Sequence, residues 1–282
     1  MSYPHNGQYF PSRTKKYEEL IFFVPFYEGS RPQLQKHIDF VNELGFDAFI
    51  FQLAPDPWST LSKKKSISLG QFISKLAFTL IQPSTVKLKK WMSSFPNLIS
   101  STEEFGLRHL YADQIEMLLN SFMQPKIVYS FSNPSHSAIK ALSRRKCSDI
   151  SALICDSGPA AKNFVGSVSR LNFLQKFPGR KIQSSLSSLV MSFFWGLRVE
   201  DDLHSYLEKF PQDFPILSIR GWKDPLIKPD EIDAAFDTHD QLRWSKLSLP
   251  EAAHLNGLRD FAEEYEPQVT SFLKKYSHVL NA

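Results

Sequence analysis

Short, unbroken apolar runs alternate along this chain with stretches in which apolar residues return every three or four positions. Leu20-Ile21-Phe22-Phe23-Val24 is such a run, as expected of a strand covered on both faces. Turn residues Pro25 to Ser30 follow it. Leu34, Ile38, Val41 and Leu44 then repeat at helical spacing, and Gly45 supplies a stop. The same alternation gives strands at Ala48–Phe51, Ile127–Phe131, Ile150–Cys155, Pro215–Ile219 and Leu242–Leu247. Helices are predicted after them: from a capping box at Ser101 and Glu104 to about Phe122, over Ala138–Arg145, over Pro229–Phe236, and in a closing amphipathic stretch, Leu258–Tyr276.

Strands that alternate with helices predict an α/β chain: a mostly parallel sheet of about six strands with helices on both faces. Two blocks break the alternation. Residues 55–100 carry Lys63-Lys64-Lys65 and an amphipathic stretch, and 160–210 is Ser-rich and helical in pattern. Both read as excursions of one domain spanning 19–282, the second as a helical cap. Both leave the carboxyl ends of strands, where open α/β sheets place their ligand sites. Residues 1–18 read as a polar surface arm.

Composition narrows the class. Of 282 residues, 42% are hydrophobic and 22% charged, with 24 Phe, which supplies a sizeable core and excludes a disordered chain. A net charge of +4 is too mild to point to nucleic acid. No apolar run approaches the ~20 residues that span a bilayer, and the first residues lack the layout of a secretory signal. Cys147 and Cys155 cannot form a disulfide framework and fit free thiols in a reducing cytoplasm. No metal-ligand spacing or Gly-rich phosphate loop is present, so no cofactor is expected.

Three loops at predicted strand ends hold the chemistry: Ser130-Phe131-Ser132-Asn133-Pro134-Ser135, Arg220-Gly221-Trp222-Lys223-Asp224-Pro225 and Ala252-Ala253-His254-Leu255-Asn256-Gly257. A serine hydroxyl becomes a useful nucleophile when an imidazole takes its proton and a carboxylate fixes that imidazole. Ser132, His254 and Asp224 supply those groups at one edge of the sheet. Ser135 is the rival nucleophile, although choosing it runs a strand through Pro134. Asp156 is the alternative acid, Asp230 reads as a helix start, and His136 as a packing or surface residue on the helix behind Ser132.

These loops, in this order, resemble those of α/β-hydrolase-fold serine hydrolases over roughly Leu20 to Tyr276. Pro215 to Pro225 reads like that family's acid loop, and His254 before a terminal helix like its histidine loop. Phe131-Ser132-Asn133, Asp156-Ser157-Gly158-Pro159 and Glu263-Glu264-Tyr265 further resemble a branch related to transmembrane protein 53. The family's Gly-x-Ser-x-Gly elbow is altered, with Ser130 and Pro134 in place of the glycines. Ser130 is small, and Pro134 suits the first turn of a helix. The resemblance implies an oxyanion hole from the Asn133 amide and an amide after the first strand, Tyr27 first and Phe26 second, since Pro25 cannot donate.

The family further implies cleavage of a carboxylic ester or thioester through an acyl-enzyme. The apolar block Leu186–Leu197 is the expected lid, and Phe26, Phe131, Phe194 and Trp195 are the expected contacts for a fairly apolar small-molecule acyl substrate. The altered elbow motivates an alternative, an α/β-hydrolase-like protein that binds a ligand or partner without catalysis. The 63–81 stretch reads first as a helix packed on the domain and second as a membrane-surface element.

Overall fold

The computed structural model describes residues 6–54, 101–102, 104–176, 178–179, 181–196 and 198–280. The amphipathic stretch 63–81 lies outside them. Among the described residues seven strands form one sheet: β1 (Gln8–Phe10), β2 (Leu20–Val24), β3 (Asp47–Ile50), β4 (Lys126–Phe131), β5 (Ile150–Asp156), β6 (Pro215–Gly221) and β7 (Arg243–Leu249), in the order β1-β3-β2-β4-β5-β6-β7. All neighbours run parallel except β1, which pairs antiparallel with β3. The strand beyond the six expected comes from the segment read as a surface arm. Three partly exposed residues carry too little alternation to announce a strand.

Helices cover both faces. On one side α1 (Arg31–Leu44) and α9 (Ala262–Lys275) pack on Phe23, Tyr129, Phe131 and Ile154. On the other, α2 (Leu107–Leu119), α3 (Ser135–Arg144) and α7 (Pro229–Phe236) pack on Phe22, Val128, Leu153 and Ile216. α1 shows how local signals set an element. Its capping box uses Gln33 Oε1, which accepts the Ser30 amide at 2.9 Å. Gly45, at φ 104°, ends it in the left-handed region. Leu34, Ile38 and Val41 are buried, each contributing about 1.5–3 kcal/mol relative to exposure.

Between β5 and β6 the chain makes α4 (Phe164–Leu171), a π-helical turn (Asn172–Lys176), α5 (Lys181–Trp195) and α6 (Val199–Leu207). A short α8 (Gly257–Asp260) precedes α9. α2 begins at Leu107, later than the capping-box motif predicts. Thr102 spends its hydroxyl on the Glu104 side chain, and Gly106, at φ 132°, sets the first turn.

The sheet order fixes where a ligand can enter. From β2 the chain moves to β3 on one side, and later to β4 on the other. The loops that follow β2 and β4 therefore diverge and leave a crevice at their carboxyl ends.

Candidate active site

Ser132 stands one residue past β4, at φ 57°. That left-handed conformation is unfavourable for a side chain and projects the hydroxyl out of the strand–helix corner. Two contacts hold it. The Ser132 amide donates to the Asp156 carbonyl at 2.8 Å, and its own carbonyl accepts the Ser135 amide at 3.1 Å as α3 begins. Gly158 lies so close that a Cβ there would stand 2.3 Å from the Ser132 carbonyl oxygen. The close approach that the altered elbow lacks at Ser130 and Pro134 is made instead by a glycine from the next strand's turn. Ser130 faces away and donates to the Ile154 carbonyl at 3.0 Å.

Asp224 lies three residues beyond β6 and is buried. One carboxylate oxygen accepts the amides of Leu226 and Ile227 at 2.7 and 3.0 Å. The other accepts from His254 Nδ1 at 2.7 Å. That bond places the imidazole proton on Nδ1 and leaves Nε2 as an acceptor. Ser132 Oγ donates to Nε2 at 3.0 Å. The His254 loop reaches this position by backbone contact with the Asp224 loop: the Lys223 amide donates to the Ala252 carbonyl at 2.9 Å, beside Gly221, where a Cβ would meet that carbonyl oxygen at 2.3 Å. Three side chains from three strand ends thus form one continuous hydrogen-bonded chain.

A cavity of about 840 Å³ opens over this path. Ser132, Asn133 and His254 form part of its wall, with Phe26 and Tyr27 from the loop after β2. Leu171, Leu226 and Ile227 give one apolar stretch, while Glu28, Gln33, Lys36 and Arg259 give a polar one. His37 also lines it and is held neutral, since burial and then the charge of Lys36 lower it to about 3.

The other expected residues fall elsewhere. Phe131 is not among the cavity residues; its ring is buried between Phe23, Tyr129 and His37, because it points to the α1 face of the sheet. Phe194 and Trp195 are also absent from the cavity wall. Phe194 packs near Phe105, and Trp195 lies between Tyr111 and Phe164, inside the core beneath α5. In the apolar block read as a lid, Val190, Phe193, Phe194 and Trp195 are apolar because they are buried, while Leu189 is exposed. Among the described residues of this excursion, those that line the cavity are Ser167 and Leu171 of α4.

Among the rivals, Ser135 is fully buried in the first turn of α3. Asp156 is engaged by Ser157 Oγ at 2.9 Å and Tyr265 Oη at 2.6 Å, one on each carboxylate oxygen. Asp230 lies in the first turn of α7 and pairs with Lys162 on the surface. His136 is buried behind the elbow, where Nε2 donates to the Ala160 carbonyl at 3.0 Å. Burial lowers it to about 3, with Arg108 adding to the effect. Burial pushes the Cys147 and Cys155 thiols up to about 12. Among the described residues no group of three or more His, Cys, Asp or Glu side chains could hold a metal, and no helix is long and apolar enough to cross a membrane.

No protein-family model matches the chain, and no curated protein matches it. The finer resemblance to the branch of transmembrane protein 53 therefore has no further support. Solved structures do match. An esterase from Pyrococcus furiosus aligns at 16% identity and a TM-score of 0.57, over 98% of this chain and 92% of that one. A proline iminopeptidase from Mycobacterium smegmatis aligns at 10% identity and a TM-score of 0.60, over 96% and 94%. An α/β hydrolase from a sediment metagenome of the Mar Chica lagoon, Morocco, aligns at 15% identity and a TM-score of 0.50, over 98% and 97%. The sheet order, the helices on both faces and these alignments together make this an α/β-hydrolase fold.

Proposed function

We propose that the chain is a serine hydrolase of carboxylic esters or thioesters bearing a fairly apolar acyl group. The observation that carries this reading is the unbroken path Ser132 Oγ–His254–Asp224, with steps of 3.0 and 2.7 Å. Ser132 Oγ attacks the acyl carbon while His254 Nε2 takes its proton. Asp224 keeps the imidazole in the right tautomer and stabilises the imidazolium that forms. His254 then gives the proton to the departing alcohol or thiol, leaving an acyl group on Ser132. Water attacks that acyl-enzyme with His254 as base, and the acid leaves.

The amides of Asn133 and Tyr27 are the oxyanion donors in this reading. Both residues border the cavity beside Ser132, from the loops on either side of the crevice. Two aimed donors are worth about 3 kcal/mol of barrier each. The acyl group lies against Leu171, Leu226 and Ile227, so α4 acts as the cap over it. The structural neighbours include both an esterase and a peptidase, so the fold leaves the leaving group open. The apolar wall favours acyl esters.

A ligand-binding role without catalysis calls for a Ser132 hydroxyl that is capped or remote from His254. Its place on the cavity wall, within hydrogen-bond reach of Nε2, favours the hydrolase instead. The test is turnover of p-nitrophenyl esters of increasing acyl length by the wild type and by Ser132→Ala. The expected result is hydrolysis that vanishes in the variant. Equal rates in the two proteins would contradict the proposal.

A further inference from the structure

The turn Asp156-Ser157-Gly158 closes β5 and touches both the nucleophile and the base, yet it supplies no group to the proton path. On the nucleophile side, the Asp156 carbonyl accepts the Ser132 amide, and Gly158 packs against the Ser132 backbone. On the base side, Ser157 Oγ accepts the Leu255 amide at 3.2 Å. That amide belongs to the peptide unit joining His254 to Leu255. Leu255 stands at φ 58°, a left-handed conformation that costs a non-glycine residue about 1–2 kcal/mol and needs a fixed partner to persist.

The Ser157 hydroxyl is itself immobilised. It is buried, and it donates to Asp156 Oδ1 at 2.9 Å, so its lone pairs face the Leu255 amide. The other Asp156 oxygen accepts from Tyr265 Oη at 2.6 Å, and Tyr265 is anchored in turn by the Tyr129 hydroxyl. The Ser157 amide donates to the Ile219 carbonyl at 2.9 Å, which ties the turn to β6. A hydroxyl pinned in this way acts as a gauge between two loops.

We propose that Ser157 is a positioning residue for the base: by holding the peptide that follows His254, it sets the distance from His254 Nε2 to Ser132 Oγ. The inference rests on the hydrolase reading of that pair. A misplacement of 1 Å in such a pair lowers rates by ~100-fold, so loss of one of several tethers is expected to cost about tenfold or more.

The variant that isolates this role is Ser157→Gly. Ser157 stands at φ 57°, which glycine adopts without strain, so the turn can keep its path while losing the hydroxyl. In the full chain, with p-nitrophenyl butyrate and rates taken per folded protein, kcat falls about tenfold or more and KM stays within twofold. The rate of fluorophosphonate labelling at Ser132 falls by the same factor. Wild-type kcat and labelling rate in Ser157→Gly would overturn the proposal. Should that variant fail to fold, Ser157→Ala is read by the same criteria. A wild type that neither turns over ester nor reacts at Ser132 overturns the hydrolase reading instead. The imidazole NMR signals of His254 then decide the positioning role: a shift in Ser157→Gly supports it, and identical spectra overturn it.

Discussion

Asp156 ends β5 and Asp224 follows the neighbouring β6; both are buried, yet only Asp224 is bonded to the imidazole of His254. Strand register explains the difference. Asp156 is still in the sheet, level with Phe131 of β4 and Ile219 of β6. Those two side chains belong to the core under α1 and α9, and Asp156 shares that face, where Tyr265 of α9 meets it. Asp224 lies past the sheet edge, in a turn whose Lys223 amide is held by the base loop. A carboxylate within the sheet serves packing and tethering, while one beyond the edge is free to meet another loop.

Exchanging each carboxylate for its amide breaks this comparison most sharply. Asp224→Asn retains the shape but removes the charge that orients His254, and is expected to lower kcat by about 10³–10⁴-fold with KM little changed. Asp156→Asn, which weakens only one member of the tether behind Ser157, is expected to lower kcat by about fivefold, corresponding to ~1 kcal/mol. Steady-state kinetics on one ester measures both. Equal losses in the two variants would mean that the sheet-level carboxylate also takes part in the proton path.

A smaller effect sharpens the comparison on the stability side. Burial raises the Asp156 carboxyl above its ordinary 3.8, against the lowering effect of the Tyr265 and Ser157 hydroxyls. The folded chain therefore holds this proton more tightly than the unfolded chain does. Its contribution to stability is full below the ordinary value and is lost as pH rises through the raised one. Asp156→Asn has no such term, so the stability of the variant relative to wild type should increase from about pH 4 upward. Urea unfolding across the acid range reads this, and a constant difference would contradict it.

The grouping of the candidate site was legible in the sequence because each member sits in a loop after a predicted strand: Ser132 one residue past Phe131, Asp224 five past Ile219 and His254 seven past Leu247. The sequence favoured Asp224, but the reason Asp156 does not meet His254 was not legible. It depends on register between strands far apart in sequence, and on Tyr265, more than a hundred residues from Asp156. The roles of Gly158 and Gly221 were hidden for the same reason, since a glycine in a turn does not reveal whose backbone it admits. The aromatic block around Phe194 and Trp195 misled because apolarity reports burial, and burial does not distinguish a core from a cavity wall. α4, which borders the cavity through Ser167 and Leu171, gave no separate signal of that position. β1 escaped notice for want of length.

The reactivity of one hydroxyl tests the central claim most directly. Native protein treated with a fluorophosphonate, digested and mapped by mass spectrometry, should carry a single adduct on Ser132, formed far more slowly in His254→Ala. An unmodified Ser132 in folded protein, or an adduct on another serine at the same rate in both proteins, would contradict the account.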